Sequence, residues 1–163
     1  MLRLHAVVKI ENDILIPEMA RLLSEGKEVR FTPSGVSMRP FIEGDRDSVI
    51  VAPFAERQAP KTGQIVLAKT EKSNNSVYVL HRIIGVTEDG LFRLQGDGNL
   101  TGEEYCCRSN IYGFVRRIES PSGRSKLLTH GYLWRLLKPA RQPLLKLYRH
   151  IIIRKLKMIK TAC

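Results

Sequence analysis

GQIVLAKTEKSNNSVYVLHRIIGV (Gly63–Val86) is the stretch that decides the fold of this chain. Its two ends, Gly63–Lys69 and Val77–Val86, are runs of aliphatic and β-branched residues, which read as strands. Between them, Glu71–Ser76 is polar and has the composition of a hairpin loop. Working outward, the same alternation of strand and turn recurs. Glu28–Thr32 alternates as a strand and is followed by the turn Pro33-Ser34-Gly35. Ser48–Ala52 is a strand closed by Pro53, and Glu88–Gly90 turns the chain into the strand Leu91–Gln95. A loop over Gly96–Gly102 precedes a last strand at Asn110–Ile118. Short strands at this spacing predict a mainly β domain, either a meander or a partly closed barrel. One short helix is expected before it, over residues 14–26, with Met19, Leu22 and Leu23 at helical spacing and Gly26 placed to end it.

The chain has 163 residues, 43% of them hydrophobic and 26% charged, which excludes wholesale disorder and leaves room for one domain with a real core. The net charge of +11 is unevenly placed. Residues 1–119 carry 16 basic and 16 acidic side chains, whereas residues 120–163 carry 11 basic and no acidic ones. The sequence therefore divides into a neutral body (1–119) and a basic tail (120–163), with Ser120–Ser125 as the expected hinge. On a helical wheel, Leu144, Leu145, Leu147, Tyr148, Ile151, Ile152, Leu156, Met158 and Ile159 share one half of the tail segment 143–160, with most of its basic residues opposite. Such a segment either lies on an anionic membrane surface, where Tyr132, Trp134 and Tyr148 would suit the interface, or packs on the β body. Nucleic acid is not an expected partner, because the basic residues are not interleaved with a stacking platform.

Three cysteines, two of them adjacent at Cys106 and Cys107, do not make a disulfide scaffold, so a reduced, cytoplasmic setting is expected. No apolar run approaches the ~18 residues of a spanning helix. The N-terminal stretch gains charge too early for a signal peptide. The four histidines are scattered, and no phosphate-cradling glycine loop occurs, so neither metal nor cofactor is expected.

Three segments hold residues suited to chemistry. Ser37 follows a strand and a Pro-Ser-Gly turn, which can leave its hydroxyl exposed; as a nucleophile it needs an adjacent base. His81 lies in an apolar strand, where partial burial favours the neutral imidazole that accepts a proton. Asp97 sits between Gly96 and Gly98 at a strand end, where a carboxylate can orient a histidine. Each also has a plainer reading: a turn serine, a core histidine, a turn-forming aspartate. Lys69 is a rival base, although it opens a polar loop and a lysine must be desolvated to act near neutral pH. Asp45 and Asp47 are further candidates to orient His81, or simply solvated loop acids.

Taken together, the segments carry a resemblance. GVSMRP (35–40), followed by Gly44-Asp45 and a Val-Ile-Val strand, resembles the nucleophile box of type I signal peptidases and their relatives, which include the self-cleaving LexA-type repressors. GQIVLAK resembles the family's Gly-Asp-Ile-Val strand, with Gln64 where aspartate is usual. YVLHRIIGV resembles the strand bearing the general base, and LFRLQGDGN the late Gly-Asp-Asn box. The boxes run in order from about Phe31 to Ile118, and the stretch LLSEGKEVRFTPSGVSMRPFIEGDRDSV (22–49) looks most like the small, soluble signal-peptidase-like proteins of bacteria. The resemblance implies a serine endopeptidase with Ser37 as nucleophile and Asp97 as orienter. It places His81 where bacterial members have a lysine, as in archaeal and endoplasmic-reticulum signal peptidases. The oxyanion would be held by the Ser37 backbone N–H and a neighbour such as Ser34, and the implied substrate is a leader or precursor peptide. Two departures from the family are expected: no N-terminal membrane anchor is read ahead of the first box, and the roughly 30 residues there are too few for a repressor's DNA-binding domain. Two alternatives therefore stay open: a catalytically inactive module binding peptides or an anionic membrane, and an autoprocessing protein.

Overall fold

A computed structural model describes residues 12–72, 75–99, 101–126, 143–148, 150 and 151. Its elements are helix α1 (Asn12–Ser24) and the strands β1 (Val29–Phe31), β2 (Ser48–Ala52), β3 (Ile65–Lys72), β4 (Asn75–Val86), β5 (Phe92–Gln95), β6 (Glu104–Cys106), β7 (Ile111–Glu119) and β8 (Ser125–Lys126). A 3-10 turn at Arg108–Asn110 precedes β7. A second helix, α2, runs through residues 143–148, and 150 and 151 are also helical.

The expected hairpin forms. β3 and β4 pair antiparallel along their whole shared length, from Ile65 opposite Arg82 to Lys72 opposite Asn75. Around it the strands join one antiparallel sheet in the order β1-β2-β7-β3-β4-β5-β6, with β8 paired to β7. The sheet is open, with β1 and β6 at its two ends, and is of the mainly β, meander-like class expected from the sequence. It curls enough to bring β6 against β3.

The curl explains why Ile65–Ala68 is apolar without alternation. Successive side chains of a strand point to opposite faces, so a strand covered on both faces reads as a continuous hydrophobic run. Ile65 and Leu67 join one buried cluster with Met19, Leu23, Val49, Val51, Val115 and Ile118. Val66 and Ala68 join the other with Ile83, Phe92, Leu94, Cys106 and Ile111. α1 covers the first cluster through Met19 and Leu23 and ends as expected, with Gly26 at φ 80° and the Lys27 N–H donating to the Leu22 carbonyl. Burying each large aliphatic side chain contributes about 1.5–3 kcal/mol.

Two short strands fall where the sequence suggested loop or hinge. β6 lies just beyond the Gly96–Gly102 loop, and β8 ties residues 125–126 to the sheet beyond residue 119. Ser120–Arg124 is a hairpin turn, closed by bonds from the Ser120 N–H to Arg124 O and from the Gly123 N–H to Ser120 O. Tyr132, Trp134 and the 152–160 part of the expected tail helix lie outside the described residues. Among the described residues, no helix is long and apolar enough to cross a membrane.

Candidate active site

Ser37 lies in a run of turns between β1 and β2, held by bonds from the Arg39 N–H to Val36 O and from the Ile42 N–H to Met38 O. Met38 and Ile42 point down into the first cluster and anchor this loop from below. The loop is clamped from the side by the Gly-Asp-Gly turn that follows β5. The Gly98 N–H donates to the Ser37 carbonyl at 2.7 Å. A Cβ on Gly98 would lie 2.7 Å from the Val36 carbonyl oxygen, so only glycine allows the two loops to approach this closely.

Gly96 fixes the relation between Ser37 and His81. A Cβ there would lie 2.5 Å from the Ser37 carbonyl oxygen and 3.1 Å from His81 Nε2. The serine's backbone and the outer ring nitrogen of the histidine therefore meet around one glycine α-carbon. His81 is buried at 5% exposure. Its Nδ1 is 3.0 Å from Glu104 Oε2, while Nε2 has no hydrogen-bond partner among the described residues. Ser37 and His81 line one pocket of about 140 Å³ with Ser34, Gly35, Met38, Leu80 and neighbouring residues.

The acid beside His81 is therefore Glu104, and the expectation that Asp97 fills that place is corrected by the geometry. Asp97 is 2% exposed, and its carboxylate is taken by Arg82. Arg82 Nε donates to Oδ1 at 2.9 Å and to Oδ2 at 3.2 Å, and Nη2 donates to Oδ2 at 2.7 Å. Strand parity accounts for the exchange. Ile83 pairs with Leu94, and Leu94 pairs with Glu104, so His81, two residues from Ile83, shares their face. Arg82 points to the other face, beneath the Gly-Asp-Gly turn.

The other candidates are placed elsewhere. Lys69 is opposite Tyr78 on the hairpin, with Nζ 6.0 Å from that ring's centroid, and it does not line the Ser37 pocket. Asp47 is fully buried and bound by Lys126, by Arg46 and by the Glu43 N–H. Burial alone would raise its carboxyl, but the Lys126 and Glu43 bonds outweigh it and hold the group below the ordinary carboxylate range. Asp45 is exposed in the turn before β2 at φ 61°.

Chemically, the arrangement offers a serine at a pocket wall, a histidine whose Nδ1 is met by a carboxylate, and an Nε2 near that serine's backbone. With Nδ1 protonated towards Glu104, the lone pair sits on Nε2, the tautomer a general base requires. No group of three or more metal-ligating side chains occurs among the described residues. One edge of β4 is also open beside the pocket. β5 pairs only with Arg82–Val86, so residues 75–81 are paired on the β3 side alone among the described residues. No protein-family model, curated protein or solved structure matches the chain.

Proposed function

We propose that this protein is a serine endopeptidase of the signal-peptidase-like kind, with Ser37 as nucleophile, His81 as general base and Glu104 as the residue that orients His81. The observation that carries the reading is the placement of His81: Nδ1 held by Glu104, Nε2 beside Gly96 and the Ser37 backbone, both residues on one pocket. The order of the Ser37, His81 and Gly-Asp-Gly segments, which resembles that family's boxes, supports it.

In this chemistry Ser37 Oγ attacks the scissile carbonyl carbon as His81 Nε2 takes the hydroxyl proton. The imidazolium formed is stabilised by the Glu104 carboxylate. The oxyanion is met by donors of the 34–37 turn, the Ser37 N–H and the Ser34 hydroxyl. His81 passes its proton to the leaving amine, and the C–N bond breaks to leave an acyl-serine. A water, deprotonated by His81, then hydrolyses that ester and restores Ser37. The substrate is an extended leader or precursor peptide. Its backbone pairs with the open edge of β4, whose free N–H and C=O groups are a template for an added strand. The pocket lined by Met38, Ile42 and Leu80 takes a small side chain.

The test is labelling with a broad serine-acylating probe, read by intact mass. The wild type takes one adduct. Ser37→Ala takes none, His81→Ala is slowed by about 10⁴-fold, and Lys69→Met is labelled like the wild type. Labelling of Ser37→Ala at the wild-type rate, or a wild type that takes no adduct, overturns the proposal.

A further inference from the structure

The exposed face of α2 is left without a function by the peptidase reading. The helix is fastened to the body on one side. Leu145 is 2% exposed, and the Tyr148 hydroxyl donates to Glu43 Oε2 at 3.3 Å. Glu43 is in turn paired with Arg39, two residues after Ser37. On the adjoining side, Leu144, Leu147 and Ile151 are 43%, 57% and 46% exposed. Their spacing of three and four residues places them in one stripe along the helix. The apolar arc of the tail is thus split: Leu145 and Tyr148 face the protein, and the stripe faces out.

Charge says what covers the stripe. Exposed Lys146 and His150 flank it. Residues 143–163 add Arg149, Arg154, Lys155, Lys157 and Lys160, and residues 120–163 include no acidic side chain. An exposed aliphatic stripe within a purely cationic segment is complementary to a surface that is apolar below and anionic above. That describes the headgroup boundary of an acidic bilayer. We infer that α2 is a peripheral docking surface for anionic phospholipid membranes, with Leu144, Leu147 and Ile151 entering the acyl boundary and the basic residues contacting headgroups. Because its inner face grips Glu43, the docked helix holds the Ser37 loop at a fixed attitude to the bilayer. The inference does not depend on the peptidase reading.

The experiment is co-sedimentation of the full chain with vesicles of pure phosphatidylcholine, and with vesicles in which about one-quarter is phosphatidylglycerol. Binding is expected only to the anionic vesicles, and it falls at least about tenfold when salt rises from roughly 0.1 M to 0.5 M. Leu147→Ser with Ile151→Ser weakens it by about tenfold or more. Lys146→Glu, an exposed change that leaves the packing intact, weakens it about fivefold. Equal binding to both vesicle types, or binding unchanged in both variants, overturns the inference. So does a stable dimer in lipid-free buffer that Leu147→Ser dissolves, because the stripe is then a contact between two copies. Retention on DNA that survives loss of the stripe, without vesicle binding, also overturns it.

Discussion

His81 and Arg82 are neighbours in β4, both nearly buried, and each meets one acid from a distant segment. They differ in what is left over. Arg82 gives three bonds to Asp97, donates through Nη1 to the Gly63 carbonyl at 2.6 Å, and has its guanidinium carbon 5.6 Å from the Phe41 ring centroid. Its charge and donors are engaged by the fold. His81 gives one ring nitrogen to Glu104 and keeps the other at the pocket. Burial and an acidic partner are thus common to a residue that holds loops together and to one that we propose as a proton carrier. The distinguishing feature is a second ring nitrogen at a cavity, without a hydrogen-bond partner among the described residues.

The comparison can be broken first at the arginine. Arg82→Met leaves the Asp97 carboxylate buried without its cation, a loss of about 3–5 kcal/mol for pairs of this kind. Urea unfolding should show a lower midpoint with little change of slope. Adding Asp97→Asn removes the stranded charge and should recover part of the loss. If Arg82→Met instead unfolds like the wild type but resists acylation at Ser37, Arg82 and Asp97 belong to the reacting groups, and the division drawn between the neighbours fails.

A smaller effect is expected at the histidine's acid, and in a different observable. Glu104→Gln keeps the side chain's size but no longer fixes the Nδ1–H tautomer or stabilises the imidazolium. Acylation at Ser37 should slow by about 10²-fold. Stability should change by less than about 1 kcal/mol, because Glu104 is partly exposed on an end strand. Asp97→Asn supplies the contrast: it should lower stability far more than the per-molecule labelling rate of the folded protein. The reverse pattern, slow labelling in Asp97→Asn and none of it in Glu104→Gln, would restore Asp97 as the orienter.

Much of this frame was legible in the sequence, and the part that was not has a physical reason. The β2 span expected from Ser48-Val-Ile-Val-Ala matches, and β3, β4, β5 and β7 lie within a few residues of expectation, because aliphatic runs between turn residues are local signals. α1 is shifted by two residues towards the N-terminus. Glu104 was missed because β6 has only three residues, Glu-Tyr-Cys, with no apolar alternation to announce it. Its position exists only through pairing with β5, a tertiary event. The Arg82–Asp97 pair did leave a trace. An arginine beside His81, flanked by the aliphatic residues Val79, Leu80, Ile83 and Ile84, calls for a buried acid, and the Gly-flanked Asp97 is the acid that a tight turn can deliver. The tail's wheel showed an apolar half but not that the body uses only part of it; that division depends on where Glu43 and its loop stand.

A third buried acid sharpens the scale of the comparison. Asp47 is held by Lys126 on β8, and its carboxyl is lowered in the folded protein despite complete burial. A depressed carboxyl stabilises the fold above its unfolded value of about 3.9, and that stabilisation is lost as pH falls through the lower, folded value. Lys126→Met removes the main charged partner but leaves the Arg46 and Glu43 contacts. Because the lysine is partly exposed, the loss at neutral pH should be only about 1 kcal/mol. The gap between wild type and variant should be constant above about pH 5, begin to narrow below about pH 4, and close only when pH falls past the lowered folded value of the wild type, where Asp47 is protonated in both proteins. A gap that persists unchanged in acid would mean that Lys126 acts through packing of its stem on β8. A gap of the size expected at Arg82 would mean that β8, and not the Arg82–Asp97 pair, is the principal fastening of the Ser37 loop.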